Sequence, residues 1–108
     1  MQEMQGGLFI LREREIEKKL RLGVIGLGGE CYKWTSPSNA GVPDRVVIMP
    51  GGKVYFVEVK TETGKLAPVQ EAQLRRLNKL GCRVRVLYGP EEVESFLQEL
   101  DRVKGYDI

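Results

Sequence analysis

Two carboxylates and a lysine stand in a short frame, Asp44 … Glu58-Val59-Lys60. Glu58 and Lys60 directly follow the apolar run at 54–57 in what reads as the same strand. Charged side chains are rarely fully buried unless they are paired, so their presence in this strand needs a reason. Carboxylate oxygens are the ligands that suit Mg²⁺, and a lysine can stabilise a reacting phosphate or activate a water. The frame therefore predicts metal-assisted phosphodiester chemistry. A structural ion pair is the alternative, because ion pairs also interrupt strand patterns.

The composition excludes several other kinds of catalytic site. The chain has no histidine, which rules out Ser-His-Asp and Cys-His catalysis, histidine general bases and histidine-ligated metals. Its two cysteines, Cys31 and Cys82, lack the partners of a zinc site. We expect both to be small, half-buried thiols in strands.

The length of 108 residues predicts one domain, spanning residues 1–108. No apolar run approaches the roughly 20 residues of a membrane-spanning helix, and the first residues lack the order of a signal peptide. A cytoplasmic protein is therefore expected. The net charge of +2 decides little by itself. Two local groups of basic residues could hold a polyanion or could simply be solvated helix faces: Arg12, Arg14, Lys18, Lys19 and Arg21, then Arg75, Arg76, Lys79, Arg83 and Arg85.

Apolar periodicity and turn residues predict the order α-β-β-β-α-β-α, which is typical of a mixed sheet flanked by helices. Residues 8–27 have helical spacing and end at two glycines. Strands are predicted at 31–34, 44–49, 53–60 and about 84–87, with helices beginning at Pro68 and at Gly89-Pro90.

The length of the turn between the second and third strands decides which side chains share a face. A two-residue loop at Gly51-Gly52 would turn Glu58 away from Asp44. A three-residue loop that includes Pro50 would set Asp44 opposite Glu58 on one face. Pro50 followed by two glycines suits the longer loop, so we predict a common face for Asp44, Glu58 and Lys60.

Four segments together resemble the VRR-NUC nucleases, a branch of the PD-(D/E)XK superfamily: Gly41-Val42-Pro43-Asp44-Arg45, Gly51-Gly52-Lys53-Val54, Phe56-Val57-Glu58-Val59-Lys60 and Pro68-Val69-Gln70. The resemblance implies an α/β fold with a PD-(D/E)XK nuclease core. It also implies Asp44, Glu58 and the main-chain carbonyl of Val59 as ligands of Mg²⁺ or Mn²⁺. Lys60 would be the catalytic lysine, and Gln70 would lie near the site.

The family also places an acidic residue on the first helix. Glu13, Glu15 and Glu17 compete for this role. Glu17 fits best, because the residues that follow it resemble the helix of archaeal Holliday junction resolvases. It is expected to be both catalytic and a metal ligand. Glu13, one turn earlier on the same face, is the alternative.

Four polar residues are predicted to contact DNA: Lys33, Ser36, Asn39 and Lys65. The resemblance suggests that the loop after Trp34 borders the substrate, with Ser36 and Asn39 as phosphate contacts. A solvated turn is the alternative for this loop. Trp34 itself is expected to pack within the protein rather than to stack on a base.

The resemblance implies a metal-dependent endodeoxyribonuclease for branched DNA, with four-way (Holliday) junctions as the first expected substrate. Symmetric cleavage of a junction needs two active sites, so a homodimer is expected. A 5′-flap or other branched end is the alternative substrate. A non-catalytic DNA-binding module is the alternative of a different class.

Overall fold

The computed structural model describes residues 11–103. Its elements follow the predicted order and are α1 (Glu13–Gly26), β1 (Glu30–Lys33), β2 (Arg45–Met49), β3 (Lys53–Lys60), α2 (Pro68–Lys79), β4 (Arg83–Tyr88) and α3 (Gly89–Val103). The first part of the predicted 8–27 helix lies outside the described residues. The helix begins at Glu13 because the Glu15 side chain accepts a hydrogen bond from the Arg12 N–H at 2.8 Å, which caps the first turn.

The four strands form one mixed sheet in the order β1-β2-β3-β4. The first three strands are antiparallel, whereas β3 and β4 are parallel and joined by α2. Such a parallel pair needs a crossover connection, and a helix usually supplies it. The α/β class and the flanking helices are thus as predicted.

The two faces of the sheet are covered unequally. The helices α1 and α3 pack together on one face, where Tyr55, Val57 and Val59 of β3 point into the core. Helix α2 lies on the other face, over β4. The core on the first face consists of Ile16, Leu20, Val24, Cys31, Val47, Met49, Tyr55, Val57, Val59, Leu87, Val93, Phe96 and Leu100. The Tyr55 and Phe96 rings meet edge to face with centroids 5.4 Å apart, a favoured aromatic geometry.

The hairpin between β2 and β3 has the predicted three-residue turn. Met49 pairs with Lys53, which leaves Pro50, Gly51 and Gly52 between the strands. Both glycines have positive φ values, 91° and 83°, which side chains other than glycine adopt only with strain. Because Arg45 pairs with Val57, the next pair along the same ladder is Asp44 with Glu58. The prediction of a common face is confirmed.

Smaller features differ little from expectation. The second strand begins at Arg45 rather than Asp44, although the Asp44 carbonyl still accepts a hydrogen bond from the Trp34 N–H at 2.8 Å. Both cysteines are free thiols, and each differs from the expectation in one respect: Cys31 lies in β1 but is buried rather than half-buried, and Cys82 is half-buried but precedes β4. Among residues 11–103, no helix has the length and apolar character needed to cross a membrane.

Candidate active site

Asp44, Glu58 and Lys60 meet at the end of β3 where the strand order places β2 and β4 on either side. The Glu58 carboxylate is almost completely buried, with 2% of its surface exposed. The Lys60 ammonium lies 3.6 Å from Glu58 Oε2 and is itself largely buried. The alternation of β3 explains this meeting, because Glu58 and Lys60 are two residues apart and share a face.

Gln70 holds the Glu58 carboxylate from the start of α2. Its side-chain N–H donates to Glu58 Oε2 at 2.9 Å. Its own oxygen accepts from the Ala67 N–H at 2.8 Å, so the cap of α2 fixes the amide. Oε2 of Glu58 therefore accepts a hydrogen bond from Gln70 and lies next to the Lys60 ammonium. The other oxygen, Oε1, is available to a further partner.

That other oxygen and one oxygen of Asp44 lack a donor within the described part of the chain. Glu58 Oε1 and Asp44 Oδ2 are both buried without a hydrogen-bond partner. Burying a carboxylate oxygen without a partner is unfavourable, and a hard cation would satisfy both oxygens at once. The donor set, all oxygen and no sulfur or imidazole, fits Mg²⁺ or Mn²⁺.

The same crowding changes the acidity of Glu58. Burial and the neighbouring Asp44 carboxylate together raise the pKa of Glu58 from 4.5 to about 7, while the Lys60 ammonium acts in the opposite direction. Two carboxylates this close share a proton readily when no cation lies between them. The positive charge of Lys60 is therefore not enough to keep both carboxylates ionised, and a bound cation would supply the additional charge.

Helix α1 contributes carboxylates to the same end of the sheet. One oxygen from each of Glu13, Glu17 and Asp44 lies within 4.8 Å of the others, close enough to hold one ion. Glu13 and Glu17 are four residues apart, so they lie one turn apart on a single helix face. The two candidates for the acidic residue of the first helix therefore both reach Asp44.

The environments of the two helix glutamates differ. Glu17 Oε1 accepts from both Nε and NH2 of Arg45 at 3.1 Å, and both side chains are largely buried. For Glu13, burial raises the pKa; Asp44 and Glu17 raise it further, and Lys60 and Lys33 lower it. Glu13 therefore interacts electrostatically with Asp44 and Lys60. Glu17 additionally forms an ion pair with Arg45 of β2.

Arg45 is the functional-site neighbour that the sequence reasoning did not single out. It follows Asp44 in the Pro43-Asp44-Arg45 segment and points to the opposite face, toward α1. A basic residue next to an acidic one at the start of a strand was the available signal. Only the position of α1 reveals that Glu17 is its partner.

The predicted DNA contacts lie in different places around this end of the sheet. Lys33 ends β1 and is close enough to Glu13 to lower its pKa. Asn39 donates its side-chain N–H to the Ser36 hydroxyl at 2.9 Å, in an exposed turn that leads to Asp44. Lys65 is exposed in the connection that follows Lys60. Gly41, in the loop between β1 and β2, packs closely against α2. Any larger residue would place a Cβ in collision with the backbone of Val69.

Comparisons with known proteins identify the family. The model of the VRR-NUC domain matches residues 33–91, which is more than half of the chain. The chain belongs to the VRR-NUC family. The predicted resemblance is thereby confirmed, and with it a nuclease domain. The matched residues include Asp44, Glu58, Lys60 and Gln70 but not α1, so the contribution of the helix glutamates rests on the geometry described above.

Individual relatives agree with this assignment. A protein of Acyrthosiphon pisum secondary endosymbiont phage 1, named "Putative nuclease p44", is 46% identical over 78 residues, which are 72% of this chain and 84% of the phage protein. A solved structure described as a VRR_NUC domain is 32% identical, with a TM-score of 0.76, over 80% of this chain and 94% of its own. A second, described as a VRR_NUC domain protein, shares the fold with a TM-score of 0.67 at 17% identity, over 87% and 91%.

Proposed function

We propose that this VRR-NUC domain is a Mg²⁺- or Mn²⁺-dependent endonuclease that hydrolyses phosphodiester bonds in branched DNA, with four-way junctions as its first substrate. The observation that carries the proposal is the pair of buried, unpartnered oxygens, Asp44 Oδ2 and Glu58 Oε1, beside the Lys60 ammonium. In a purely structural ion pair, buried carboxylate oxygens usually have hydrogen-bond partners. The arrangement instead supports a site that requires a divalent cation and binds a negatively charged substrate.

The residues that would hold the cation are Asp44 and Glu58, with Glu13 and Glu17 of α1 on the same side of Asp44. The side chain of Val59 is buried in the core, so only its carbonyl is available as the additional ligand that the family resemblance implies. A bound cation would lower the pKa of a water and neutralise charge on the cleaved phosphate. In the absence of histidine, it also supplies the positive charge that Glu58 and Asp44 require.

The protein side chains have separable tasks in this scheme. Lys60, held 3.6 Å from Glu58 Oε2, stabilises negative charge on the phosphate and orients the attacking water. Gln70 keeps Glu58 in one orientation, since its amide is fixed by the cap of α2. Lys33, Ser36, Asn39 and Lys65 would position the DNA backbone, and such contacts set register rather than sequence preference.

The test is a cleavage panel with end-labelled four-way junctions, 5′ flaps, splayed arms, linear duplex and single strands, with Mg²⁺, Mn²⁺ or EDTA. We expect cleavage of the junction only with a divalent metal and no activity in Lys60→Ala, which controls for a contaminating nuclease. Preferred cleavage of flaps would instead favour the alternative substrate. DNA binding without cleavage of any substrate would favour the non-catalytic module.

The same junction experiment tests the proposed homodimer. A dimer places two sites on one junction and should produce paired cuts in opposite strands. On a supercoiled plasmid that extrudes a cruciform, paired cuts give linear product directly, whereas a monomer gives nicked circles first. Nicked circles as the only initial product, together with a mass of 12.2 kDa in solution, would contradict the dimer.

Glu13 and Glu17 are expected to behave differently when each is replaced by glutamine. Both changes should weaken metal binding by about tenfold, because each removes a carboxylate from the cluster around Asp44. Only Glu17→Gln should also lower the free energy of unfolding, by about 2 kcal/mol, because it leaves the largely buried Arg45 without its counter-charge. Isothermal titration with Mn²⁺ and urea unfolding of the metal-free proteins measure the two effects. A Glu13→Gln protein with unchanged metal affinity would leave Glu17 as the sole ligand from α1.

A further inference from the structure

The face of the sheet that carries α2 is only partly covered. A four-stranded sheet is about 19 Å wide, because neighbouring strands lie about 4.8 Å apart, whereas one helix has a diameter of about 10 Å. Helix α2 packs over β4, so none of the helices within residues 11–103 lies over the β1 and β2 side of this face. We call this region the open sheet face and define it by Tyr32, Val46, Ile48, Val54 and Phe56, which share one side of the sheet.

The open sheet face is unusual in its side chains. A half-solvated antiparallel sheet normally presents polar residues to water. Here Val46, Ile48, Val54 and Phe56 remain only partly buried, and Tyr32 exposes 55% of its surface. A large aromatic ring in this position is one of the few exposed large apolar side chains of the described residues. Such a surface indicates a binding partner.

The strand register places this surface beside the carboxylate pair. Tyr32 pairs with Val46, and Val46 pairs with Phe56. Two residues beyond Tyr32, the backbone N–H of Trp34 donates to the Asp44 carbonyl at 2.8 Å. Asp44 in turn lies opposite Glu58. Tyr32 and Trp34 therefore point to the same side as Asp44 and Glu58, with Tyr32 about 7 Å further along the strand.

The Trp34 ring extends over β2 to meet Phe56, with ring centroids 5.2 Å apart and planes tilted by 45°. This contact agrees with the expectation that Trp34 packs within the protein. Tyr32 and Trp34 thus lie on the same side of β1, with Trp34 nearer to Asp44. Of these two rings, that of Tyr32 is the exposed one.

We propose that Tyr32, on the same side of β1 as Trp34, stacks on an unpaired base of the nucleotide next to the cleaved phosphate. Tyr32 lies two residues, or about 7 Å, along β1 from the row that contains Asp44 and Glu58, which is within reach of the base of a nucleotide whose phosphate is bound at these carboxylates. Bases that are not stacked in a helix are recognised by aromatic rings on sheet surfaces. Branch points supply such bases and intact duplex does not, so this site would contribute to recognition of branched DNA. The inference rests on the proposed function.

The chemistry of the open sheet face favours a base over the sugar-phosphate backbone. Phosphate contacts require basic or polar donors, and the five residues that define this face have aliphatic or aromatic side chains. The exposed Glu30, which pairs with Ile48 at the far end of the same side, is an acid and would repel a phosphate. A second copy of the chain is the competing occupant, since it too would cover an apolar surface. The two occupants differ in whether nucleobases are required for binding, and this difference determines the experiment.

The test uses Trp34 as a reporter, because it is the single tryptophan of the chain. The wild-type protein is titrated in EDTA, where no cleavage occurs, with a branched DNA that has unpaired thymidines at the branch. An otherwise identical DNA carries abasic residues at those positions. We expect the thymidine DNA to quench Trp34 emission and to bind more tightly than the abasic DNA.

Base stacking contributes about 1–3 kcal/mol per base, which corresponds to about 5- to 150-fold in the dissociation constant. Tyr32→Ser should lose this factor on the thymidine DNA and bind both DNAs equally. Tyr32→Phe keeps the ring and should retain the preference. Leu80→Ser removes an apolar side chain that is 76% exposed just after the end of α2 and serves as the matched control, with no expected change.

Two outcomes would overturn the inference. One is equal binding of the thymidine and abasic DNAs by the wild-type protein. The other is a Trp34 emission that depends on protein concentration without DNA, together with a solution mass that Tyr32→Ser halves, since that would show a second copy on this face. The proposed function is judged separately by Mg²⁺-dependent cleavage with wild-type protein. Base-dependent binding without cleavage would leave the stacking site intact and refute the nuclease proposal.

Discussion

Replacement of Glu58 with glutamine is expected to reduce the cleavage rate by about 10³-fold, while the folded protein without metal becomes more stable at pH 8, where Glu58 is ionised. The carboxylate has one buried oxygen with no donor and faces Asp44. Glutamine has nearly the same size but no charge, so it removes a metal ligand and also removes the repulsion between the two carboxylates. Loss of activity would therefore accompany a gain in stability, which ordinary damage to a core does not produce.

Three measurements on the same protein preparations test this prediction. They are junction cleavage with Mg²⁺, Mn²⁺ affinity by titration, and the midpoint of urea unfolding in EDTA. Glu71→Gln, an exposed acidic residue next to Gln70 on α2, is the matched control and should change none of them. DNA binding in EDTA should survive in Glu58→Gln. A variant that cleaves junctions at the wild-type rate would refute the role of Glu58, whatever its stability.

The stability of the metal-free protein is expected to fall as the pH rises from about 5 to 8. Burial and Asp44 raise the pKa of Glu58 from 4.5 to about 7 in the folded protein. Between these two values the folded state binds more protons at Glu58 than the unfolded state does, so the free energy of unfolding decreases with increasing pH. The shift corresponds to about 3 kcal/mol across this range.

A divalent metal should reverse this trend. Because metal binding requires the ionised carboxylate, Mg²⁺ or Mn²⁺ should stabilise the protein strongly at pH 8 and weakly at pH 5. Thermal unfolding at both pH values, with metal and with EDTA, measures the effect. For a domain of this size, about 3 kcal/mol corresponds to a shift of more than about 10 °C in the melting temperature.

Glu58→Gln provides the control for the pH experiment, since it removes the titrating group. Its metal-free stability should lack the decline that is specific to Glu58, and added metal should have little effect at either pH. A wild-type protein whose metal-free stability increases from pH 5 to 8 by as much as the variant would contradict the raised pKa. The difference between the two proteins, rather than either curve alone, isolates Glu58 from the other carboxylates.

The amino-acid sequence by itself determined the elements and the register of the hairpin. Helical spacing, β-branched runs and glycine turns are local properties, and they place each strand to within one residue of its observed ends. The three-residue turn at 50–52 then placed Asp44 opposite Glu58, since the alternation of a strand allows only one side for each residue. Lys60 followed from the same alternation. The family motif lies within these segments, which is why the nuclease resemblance was visible before the fold.

The tertiary structure alone decided how these groups affect one another. Helix α1 is far from β2 in the sequence, and only its packing on the sheet shows that Glu17 pairs with Arg45 while Glu13 faces Lys60. The acidity of Glu58 likewise depends on burial and on neighbours brought from β2 and α2. The exposure of Tyr32 depends on which strands α2 fails to cover. Charge coupling and burial arise from contacts between distant segments, and no local pattern of residues encodes them.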